Sequence, residues 1–184
     1  MSNPIVSDAT VSQPDPENYE DVTIYDLEHS DEEALLKAHN ECTFIWSNKE
    51  GWPVGVIMSY VWHDGCFWLT ASSQRARISA VRRDSRVSVV VTSTGSPIPR
   101  NKTVTYKGTC TLHDDDTTKA WFYPALAAAL YGEGGKGDFF VKFLDSPRRV
   151  ILKVTPTQRI GYDGAKMGKA TADWIAKAKA ELTQ

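Results

Sequence analysis

Apolar and polar residues alternate over several short stretches of the chain, which is the period of β-strands with one buried face. The clearest stretch is 103–112, where Val104, Tyr106, Gly108, Cys110 and Leu112 share one face. Turn-forming residues at 48–51 and 63–65 separate neighbouring runs, as in a β-meander. The pattern predicts six strands, at 43–47, 52–62, 66–71, 86–92, 103–112 and 148–154, and therefore a mainly β domain.

Apolar residues spaced by three or four positions predict helices that flank these strands. Ser30, followed by three acids, is typical of a helix start. The predicted helices are 31–40, 72–84, a segment from the acids at 114–116 to about Tyr131, 138–144, and a closing helix from about Asp163. Pro124 predicts a kink or a late start in the third of them. The segments 94–102 and 132–137, rich in Gly and Pro or in Gly alone, are expected to be loops.

The closing helix carries one apolar stripe, formed by Met167, Ala170, Thr171, Trp174, Ile175, Ala178 and Leu182. A stripe of this kind is expected to pack on the domain or on a partner subunit. Mainly β structure with flanking helices and a C-terminal helix is therefore the predicted fold class.

Charge divides the chain into two parts. Residues 1–33 contain ten of the 23 acids and no Lys or Arg, and the first 20 also contain three prolines. We expect residues 1–28 to form an acidic, disordered arm and residues 29–184 to form one folded domain. The part of the chain after residue 33 carries a formal charge of about +8. This excess suits an anionic ligand, although basic side chains that only solvate the surface are the alternative.

The sequence contains no apolar run long enough for a membrane span and no export signal. Its three cysteines, Cys42, Cys66 and Cys110, are widely spaced and odd in number, which predicts reduced, buried thiols. We therefore expect a soluble, cytoplasmic protein that does not bind membranes. The histidines His39 and His63, like His113, have no partner at a metal-ligand spacing, so no metal site is expected.

The segment 67–91 carries the strongest indication of chemistry. Its strand ends in Thr70, Ala71, Ser72 and Ser73, which bring hydroxyl and main-chain N–H groups to a predicted helix start. Arg75 and Arg77 follow, and an arginine can hold two phosphate oxygens at once. These residues predict a phosphate site, with a solvated basic face as the alternative.

Five stretches of the sequence together resemble the flavin-binding split β-barrel superfamily that includes pyridoxamine 5'-phosphate oxidase. They are Gly51-Trp52-Pro53, His63-Asp64-Gly65, FWLTASSQRAR, VRRDSRVSVVV and RRVILKVTPTQRIGYDGAKM. The resemblance implies a split β-barrel, six-stranded, antiparallel and Greek-key-like, that forms a homodimer with the cofactor between subunits. It places Arg77 where the family often has a phosphate-binding Lys, and Ser85 where the family commonly has Pro.

The resemblance also implies a cofactor site and an activity. Ile57, Met58 and Ser59 would approach the ring of FMN, and Thr70, Ala71 and Ser72 the ribityl phosphate. The deazaflavin F420 is the alternative cofactor, and Lys107, with Lys49, Arg100 and Lys102, would favour its more negative tail. The implied function is an oxidoreductase that transfers a hydride to or from a small organic substrate. Catalytic residues are unknown, although Tyr60, Lys107 and Trp121 are candidates for the substrate side.

Pyridoxamine 5'-phosphate oxidase itself is a poor match, because its Arg- and Pro-rich C-terminal segment is absent from this chain, which ends in TADWIAKAKAELTQ. Two other functions stay open: a non-catalytic protein that binds or stores flavin or haem, and a barrel that binds nucleic acid through its six tryptophans. Nucleic acid is the less expected partner, because Trp46, Trp62 and Trp68 lie in apolar runs.

Overall fold

The computed structural model describes residues 21–99, 101–132 and 135–182. The strands are β1 (Glu41–Ser47), β2 (Pro53–His63), β3 (Cys66–Ser72), β4 (Arg86–Thr92), β5 (Lys102–His113) and β6 (Arg149–Asp163). The α-helices are α1 (His29–Ala38), α2 (Ala76–Arg83), α3 (Asp116–Tyr131), α4 (Gly135–Leu144) and α5 (Gly164–Leu182). A short 3-10 helix, Val22–Tyr25, precedes α1.

The six strands form one closed antiparallel barrel in the order β1-β2-β3-β6-β5-β4. This confirms the predicted fold class, a six-stranded antiparallel split barrel with a C-terminal helix. The alternation on β5 is also confirmed, because Val104, Tyr106 and Cys110 are buried in the barrel core. The inward side chains of all six strands share one apolar core.

The hairpin strands β2 and β3 pair along only part of their length. Their ladder runs from His63 and Cys66 beside the turn to Tyr60 and Leu69, and it ends there. Beyond this point β2 pairs with β1 alone, and β3 pairs with β6. The barrel wall is therefore split between the first half of β2 and the end of β3.

Two helices cover the outer face of β3 and β6. Phe122 and Leu126 of α3 pack with Leu144 of α4 against Trp68 and Ile151, forming a second apolar cluster outside the barrel. Pro124 lies inside α3, so the helix neither stops nor starts late there. Of the two alternatives predicted from this proline, the late start is wrong. The helix α3 begins at Asp116, where the Asp115 side chain accepts a hydrogen bond from the Thr118 main-chain N–H (2.8 Å).

Strand β6 continues nine residues beyond the predicted end at 154. The continuation includes Pro156, a residue that cannot donate to a central ladder. The structure accommodates it at a bulge, where Pro156 lies opposite Gly108 and the register shifts between Lys107 and Gly108. A Cβ atom on Gly108 would lie 2.6 Å from the Thr155 carbonyl oxygen, so the close approach requires glycine here.

The chain is already packed at residues 21–28, which we expected to belong to the disordered arm. Tyr25 and Leu27 are buried, and Asp26 forms an ion pair of 2.8 Å with Arg159 of β6. Acidic composition suggested disorder, but these acids are bound by basic side chains of the barrel. Residues 1–20 of the predicted arm lie outside the described residues.

Three further boundaries differ from prediction. Helix α2 begins at Ala76 instead of 72, because the Arg75 N–H closes a turn on the Ser72 carbonyl (3.0 Å). Helix α4 begins at Gly135, inside the predicted loop 132–137, of which residues 133–134 lie outside the described part. The apolar stripe of α5 contains no buried residue, so it does not pack into this chain's own core. Within the described chain, no helix is both long enough and apolar enough to cross a membrane.

Candidate functional site

The predicted cofactor residues on β2 and β3 lie on the two sides of the split. On β2, Ser59, Met58 and Ile57 lie just before Tyr60 in the chain, on the side away from the hairpin turn. They pair with Glu41, Cys42 and Thr43 of β1. Thr70, Ala71 and Ser72 follow the last paired residue of β3, and they pair with β6. The main-chain groups that face across the split are outside the β2–β3 ladder, which leaves them available to a ligand.

The side chains of these six residues point in two directions. Ile57 is 66% exposed on the outer face, and Ser59, Thr70 and Ser72 are half-buried beside the split. Met58 and Ala71 are buried in the barrel core. Because strand side chains alternate in direction, Met58 and Ala71 can offer a ligand only their main chain, whereas the other four can also offer side chains.

Helix α2 begins immediately after β3 and has an unusual N-terminus. Its N-cap is Arg75, which makes no side-chain capping bond, and its first turn contains Arg77 and no acid. A helix N-terminus carries partial positive charge, so arginines there are unfavourable unless an anion is bound. Proteins commonly bind phosphate groups at such a position.

Arg77 carries an unsatisfied donor. Its Nε atom is buried and has no hydrogen-bond partner among the described residues. Burial and the neighbouring charge of Arg75 lower the pKa of the Arg77 guanidinium. Buried donors in proteins are nearly always hydrogen-bonded, so an anion beside Arg77 would supply the missing acceptor and the missing charge. The residues present therefore fit a phosphorylated cofactor.

Lys107 lies on a different part of the surface. It is exposed on the outer face of β5, and in the barrel order two strands separate β5 from β2 on either side. Lys107 instead lines a groove of about 520 Å³ on the outer face of β1, β4 and β5, beside Ser47, Arg86 and Ser88. A single chain does not bring Lys107 together with Arg77.

Two other predicted basic residues have defined places. Lys102 is buried between Asp31 (2.5 Å) and Asp163 (3.0 Å), so its charge is neutralised within the chain and cannot favour an F420 tail as expected. Burial opposes the ionisation of Asp163, but the hydrogen bond and charge of Lys102, together with hydrogen bonds from the Ala165 and Lys166 main-chain N–H groups, outweigh it and hold the pKa of Asp163 below its ordinary value. Lys49 is exposed in the turn between β1 and β2. Arg100 lies outside the described residues.

The two aromatic candidates for the substrate side are packed into the protein. Tyr60 is 1% exposed, and its hydroxyl donates to the Leu36 carbonyl (3.0 Å), so it cannot face a substrate. The prediction was wrong because the position after Ser59 points into the core. Trp121 of α3 packs edge-on against Trp68 (4.9 Å) and lies 4.6 Å from His63. In the described chain, no cluster of three His, Cys, Asp or Glu side chains is placed to hold a metal.

Sequence reasoning missed Arg149, the first residue of β6. It lies directly opposite Ser72 in the β3–β6 ladder, and its Nε atom is also buried without a hydrogen-bond partner among the described residues. The only signal in the sequence was the pair Arg148-Arg149 ahead of an apolar run. Proximity to Ser72 depends on the strand order, which sequence spacing does not contain.

The barrel is closed and six-stranded, it is split between two hairpin strands, and a helix that begins with arginines lies at the split. These features are those of the flavin-type split barrels, the class to which we assign this protein. A family profile described as pyridoxamine 5'-phosphate oxidase matches residues 30–161, and the chain belongs to that family. No curated protein matches the chain in sequence.

Solved structures share the fold at low sequence identity. A conserved hypothetical protein of Mycobacterium tuberculosis is 17% identical with a TM-score of 0.65, covering 77% of this chain and 88% of that one. An F420 reductase is 19% identical with a TM-score of 0.55, covering 70% and 94%. A haem storage protein of Vibrio cholerae is 12% identical with a TM-score of 0.56, covering 72% and 92%. At these identities the likeness concerns the fold, which serves both enzymes and storage proteins.

Proposed function

We propose that this protein is a homodimeric oxidoreductase that binds FMN, or alternatively F420, and transfers a hydride to or from a small organic substrate. The observation that carries the proposal is the unsatisfied, buried Nε of Arg77 at an uncapped helix start. Membership of the pyridoxamine 5'-phosphate oxidase family supports a flavin-type cofactor, and an F420 reductase with the same fold makes the deazaflavin a reasonable alternative.

The phosphate of the cofactor would be held at the start of α2. Arg77 and Arg75 would supply charge and hydrogen bonds, and Ser72 would supply its hydroxyl. The main-chain N–H groups in the first turn of α2 would add further donors. The remaining body of the cofactor would follow the split, along Thr70 on one side and Ser59 and Ile57 on the other.

The bound cofactor would supply the electron-accepting ring, and the chain would bind, orient and shield it. Ile57 offers an apolar side chain beside the split, from which it can exclude water. Thr70 donates its hydroxyl to the Val150 carbonyl (2.8 Å), which fixes its orientation and leaves its oxygen lone pairs available as acceptors. No acid or base is assigned, because hydride chemistry resides in the cofactor.

A second copy of the chain is expected to cover the outer face of the barrel. Across β2, β1, β4, β5 and β6, one row of outward residues consists of Ile57, Thr43, Val90, Thr105 and Ile160. Its two ends, Ile57 and Ile160, are 66% and 54% exposed. This row contains no charged side chain and has an exposed isoleucine at each end, which suits a protein interface and supports the proposed homodimer.

Absorbance of the purified protein, followed by titration of the cofactor-free protein with FMN and with F420, tests the proposal. Arg77→Ala should weaken binding of the preferred cofactor by about 1.5 to 3 kcal/mol, the scale of a lost charge-assisted hydrogen bond, or roughly 10- to 150-fold in Kd. Arg77→Lys should lose less, because it keeps the charge. Lys37→Ala removes an equal charge from α1 and serves as the control.

Two results would contradict the proposal. Failure of the wild-type chain to bind either cofactor would reject the flavin site. Equal Kd values for wild type and Arg77→Ala would move the phosphate elsewhere. If the protein binds a cofactor that, once reduced, passes no hydride to any acceptor, the oxidoreductase assignment is rejected in favour of storage.

A further inference from the structure

A second basic cleft lies beside the candidate cofactor site. It has a volume of about 530 Å³ and lies between the end of β3, the start of β6 and helices α2 and α3. Its charged lining consists of Arg82, Lys119, Arg148, Arg149, Asp114 and Asp145. Four cations against two carboxylates leave two positive charges in excess. Neither Arg75 nor Arg77 lines this cleft, so it is distinct from the start of α2.

The arginines of the cleft are not neutralised by the described chain. Lys119 forms an ion pair with Asp116 (3.4 Å), whereas Arg82, Arg148 and Arg149 form none with any carboxylate among the described residues. Like charges gathered around one cavity repel each other unless an anion enters. The cleft therefore contains more positive charge than its own acids balance.

Arg149 is held in place rather than extended into solvent. Its Nε is buried without a hydrogen-bond partner in the described part of the chain, and its guanidinium lies over the ring of Phe143 at 5.8 Å. The Ser73 N–H donates to the Arg148 carbonyl (2.7 Å), which joins the two strand ends that form the floor of the cleft. The donors are thus positioned before any ligand arrives, which lowers the entropy lost on binding.

Tyr123 adds a second unsatisfied group at the edge of this region. Its hydroxyl is buried without a partner among the described residues, and the side chain is 3% exposed. It lines an adjoining pocket of about 280 Å³ that shares Lys119 and Asp145 with the cleft. One orphaned donor in the cleft and a second in the pocket beside it indicate a ligand with several acceptor oxygens.

We propose that this cleft is a second oxyanion site, which binds a phosphate or carboxylate group independently of Arg77. A tetrahedral or planar oxyanion would accept from the Arg149 Nε and from Arg82 or Arg148, and it would neutralise the excess charge. The oxyanion could belong to a cofactor that extends beyond its first phosphate or to a separate anionic substrate. The site does not depend on the flavin proposal, because its residues differ from those at the start of α2.

Inorganic phosphate is the probe, titrated into the isotope-labelled full chain at constant ionic strength while amide resonances are followed by NMR. The amides of Ser73 and Ser146 and the Arg149 Nε–H should shift together with one Kd, and the amides of Ala76 and Arg77 should follow a separate one. Arg149→Met retains the length of the side chain over Phe143 and should raise the Kd at the cleft at least tenfold. The shifts at α2 should persist.

Arg82→Gln keeps the test decisive if Arg149→Met fails to fold, since Arg82 is exposed and its loss should weaken the same site several-fold. Lys37→Gln, on α1, is the charge-matched control and should change neither Kd. The proposal is overturned if phosphate does not perturb the cleft amides, if both cleft variants bind like wild type, or if Arg77→Ala abolishes the shifts at both places. The last result would mean a single site.

A second arm identifies the source of the oxyanion. If Arg149→Met weakens the binding of F420 more than that of FMN, the cleft receives the longer anionic chain of the cofactor. If both cofactors bind the variant as they bind wild type while phosphate no longer does, the cleft receives a separate anionic ligand. If the wild-type chain binds neither cofactor, the proposed function is rejected, but phosphate binding at the cleft still supports the second site.

Discussion

Tyr60 and Leu69 form the last cross-strand pair between β2 and β3, and beyond them the two strands pair with different neighbours. The buried Tyr60 hydroxyl donates to the Leu36 carbonyl, so α1 fixes the position at which the barrel splits. The residues that follow this pair on both strands are those expected to meet the cofactor. The last paired residue of β2 is therefore anchored in the core, directly beside the residues expected to meet the cofactor.

Ser72→Ala tests whether the end of β3 contacts the cofactor phosphate. Ser72 is half-buried, and its Oγ accepts only a long bond from the Gln74 N–H (3.4 Å), so its removal should change the free energy of unfolding little. Loss of one hydrogen bond should make the free energy of cofactor binding less favourable by about 0.5 to 1.5 kcal/mol, measured as a higher Kd by fluorescence titration. Ser79→Ala, on the exposed side of α2, should bind like wild type. Equal affinities for the two variants would exclude Ser72 from the site.

The period of the apolar residues was sufficient to predict the six strands, whereas their closure into a barrel was expected only from the family resemblance. Alternation on β5 and the nearly continuous valines of β4 indicated strands, and the acids after Ser30 indicated α1. Ser30 itself was wrongly expected to start that helix, because α1 begins at His29 with Glu28 as its N-cap. The last part of β6 was not predicted, because the strand continues past a bulge in which Pro156 lies opposite Gly108, and no local pattern reveals that bulge. Acidic composition misled it at 21–28, because the cations that bind these acids, such as Arg159, come from the far end of the chain.

Glu32→Gln should destabilise the fold strongly. The Glu32 carboxylate is 6% exposed, accepts from the Tyr106 hydroxyl and the Arg159 guanidinium, and so ties α1 to β5 and β6. The amide weakens the bonds to the buried Tyr106 hydroxyl and to Arg159, although Asp26 keeps Arg159 paired, so we expect a loss of about 1 to 3 kcal/mol in urea unfolding. Glu33→Gln breaks only an exposed pair with Lys37 and should cost less than about 0.5 kcal/mol. Similar losses for both variants would contradict a buried role for Glu32.

Cys42 and Cys110 should resist thiol reagents in the folded protein. Burial, with a smaller contribution from Glu41 at Cys42, raises the pKa of each thiol to about 12. In a Cys66→Ala background at pH 8, a chromogenic disulfide should react with neither thiol until denaturant is added. Rapid reaction of either thiol under native conditions would contradict this burial.

The same raised pKa values give a pH dependence with a defined sign. The unfolded thiols ionise near pH 9, whereas the folded ones stay protonated to about pH 12. Between these values the native state binds more protons than the unfolded state, so stability falls as pH rises. Replacing both thiols by alanine should make the fall between pH 9 and 11 shallower, whatever the loss at neutral pH. An unchanged slope would assign the alkaline dependence to other groups.

The site was only partly predictable for a related reason. The strand end and the arginines after it are consecutive in sequence, so the phosphate cradle around Arg75 and Arg77 could be proposed from spacing alone. Arg149, in the neighbouring cleft, could not be placed beside Ser72 in this way, because it lies there only through the pairing of β6 with β3, 77 positions further along the chain. Lys102 and Tyr60 were proposed from residue type alone. In the structure Lys102 is held in an ion pair with Asp163, and Tyr60 is packed in the core with its hydroxyl bonded to Leu36.

Gly108→Ala and Gly168→Ala form a matched pair that tests the bulge. At Gly108 a Cβ would lie 2.6 Å from the Thr155 carbonyl oxygen and 3.1 Å from a Val154 methyl group, so β5 and β6 would have to separate. We expect a loss of about 1 to 3 kcal/mol in unfolding free energy, the range for an overpacked core. Gly168 in α5 has open space around it, so alanine should stabilise the helix by about 0.5 to 1 kcal/mol. If Gly108→Ala were as stable as wild type, the strands could relax around Pro156, and the bulge would not require glycine.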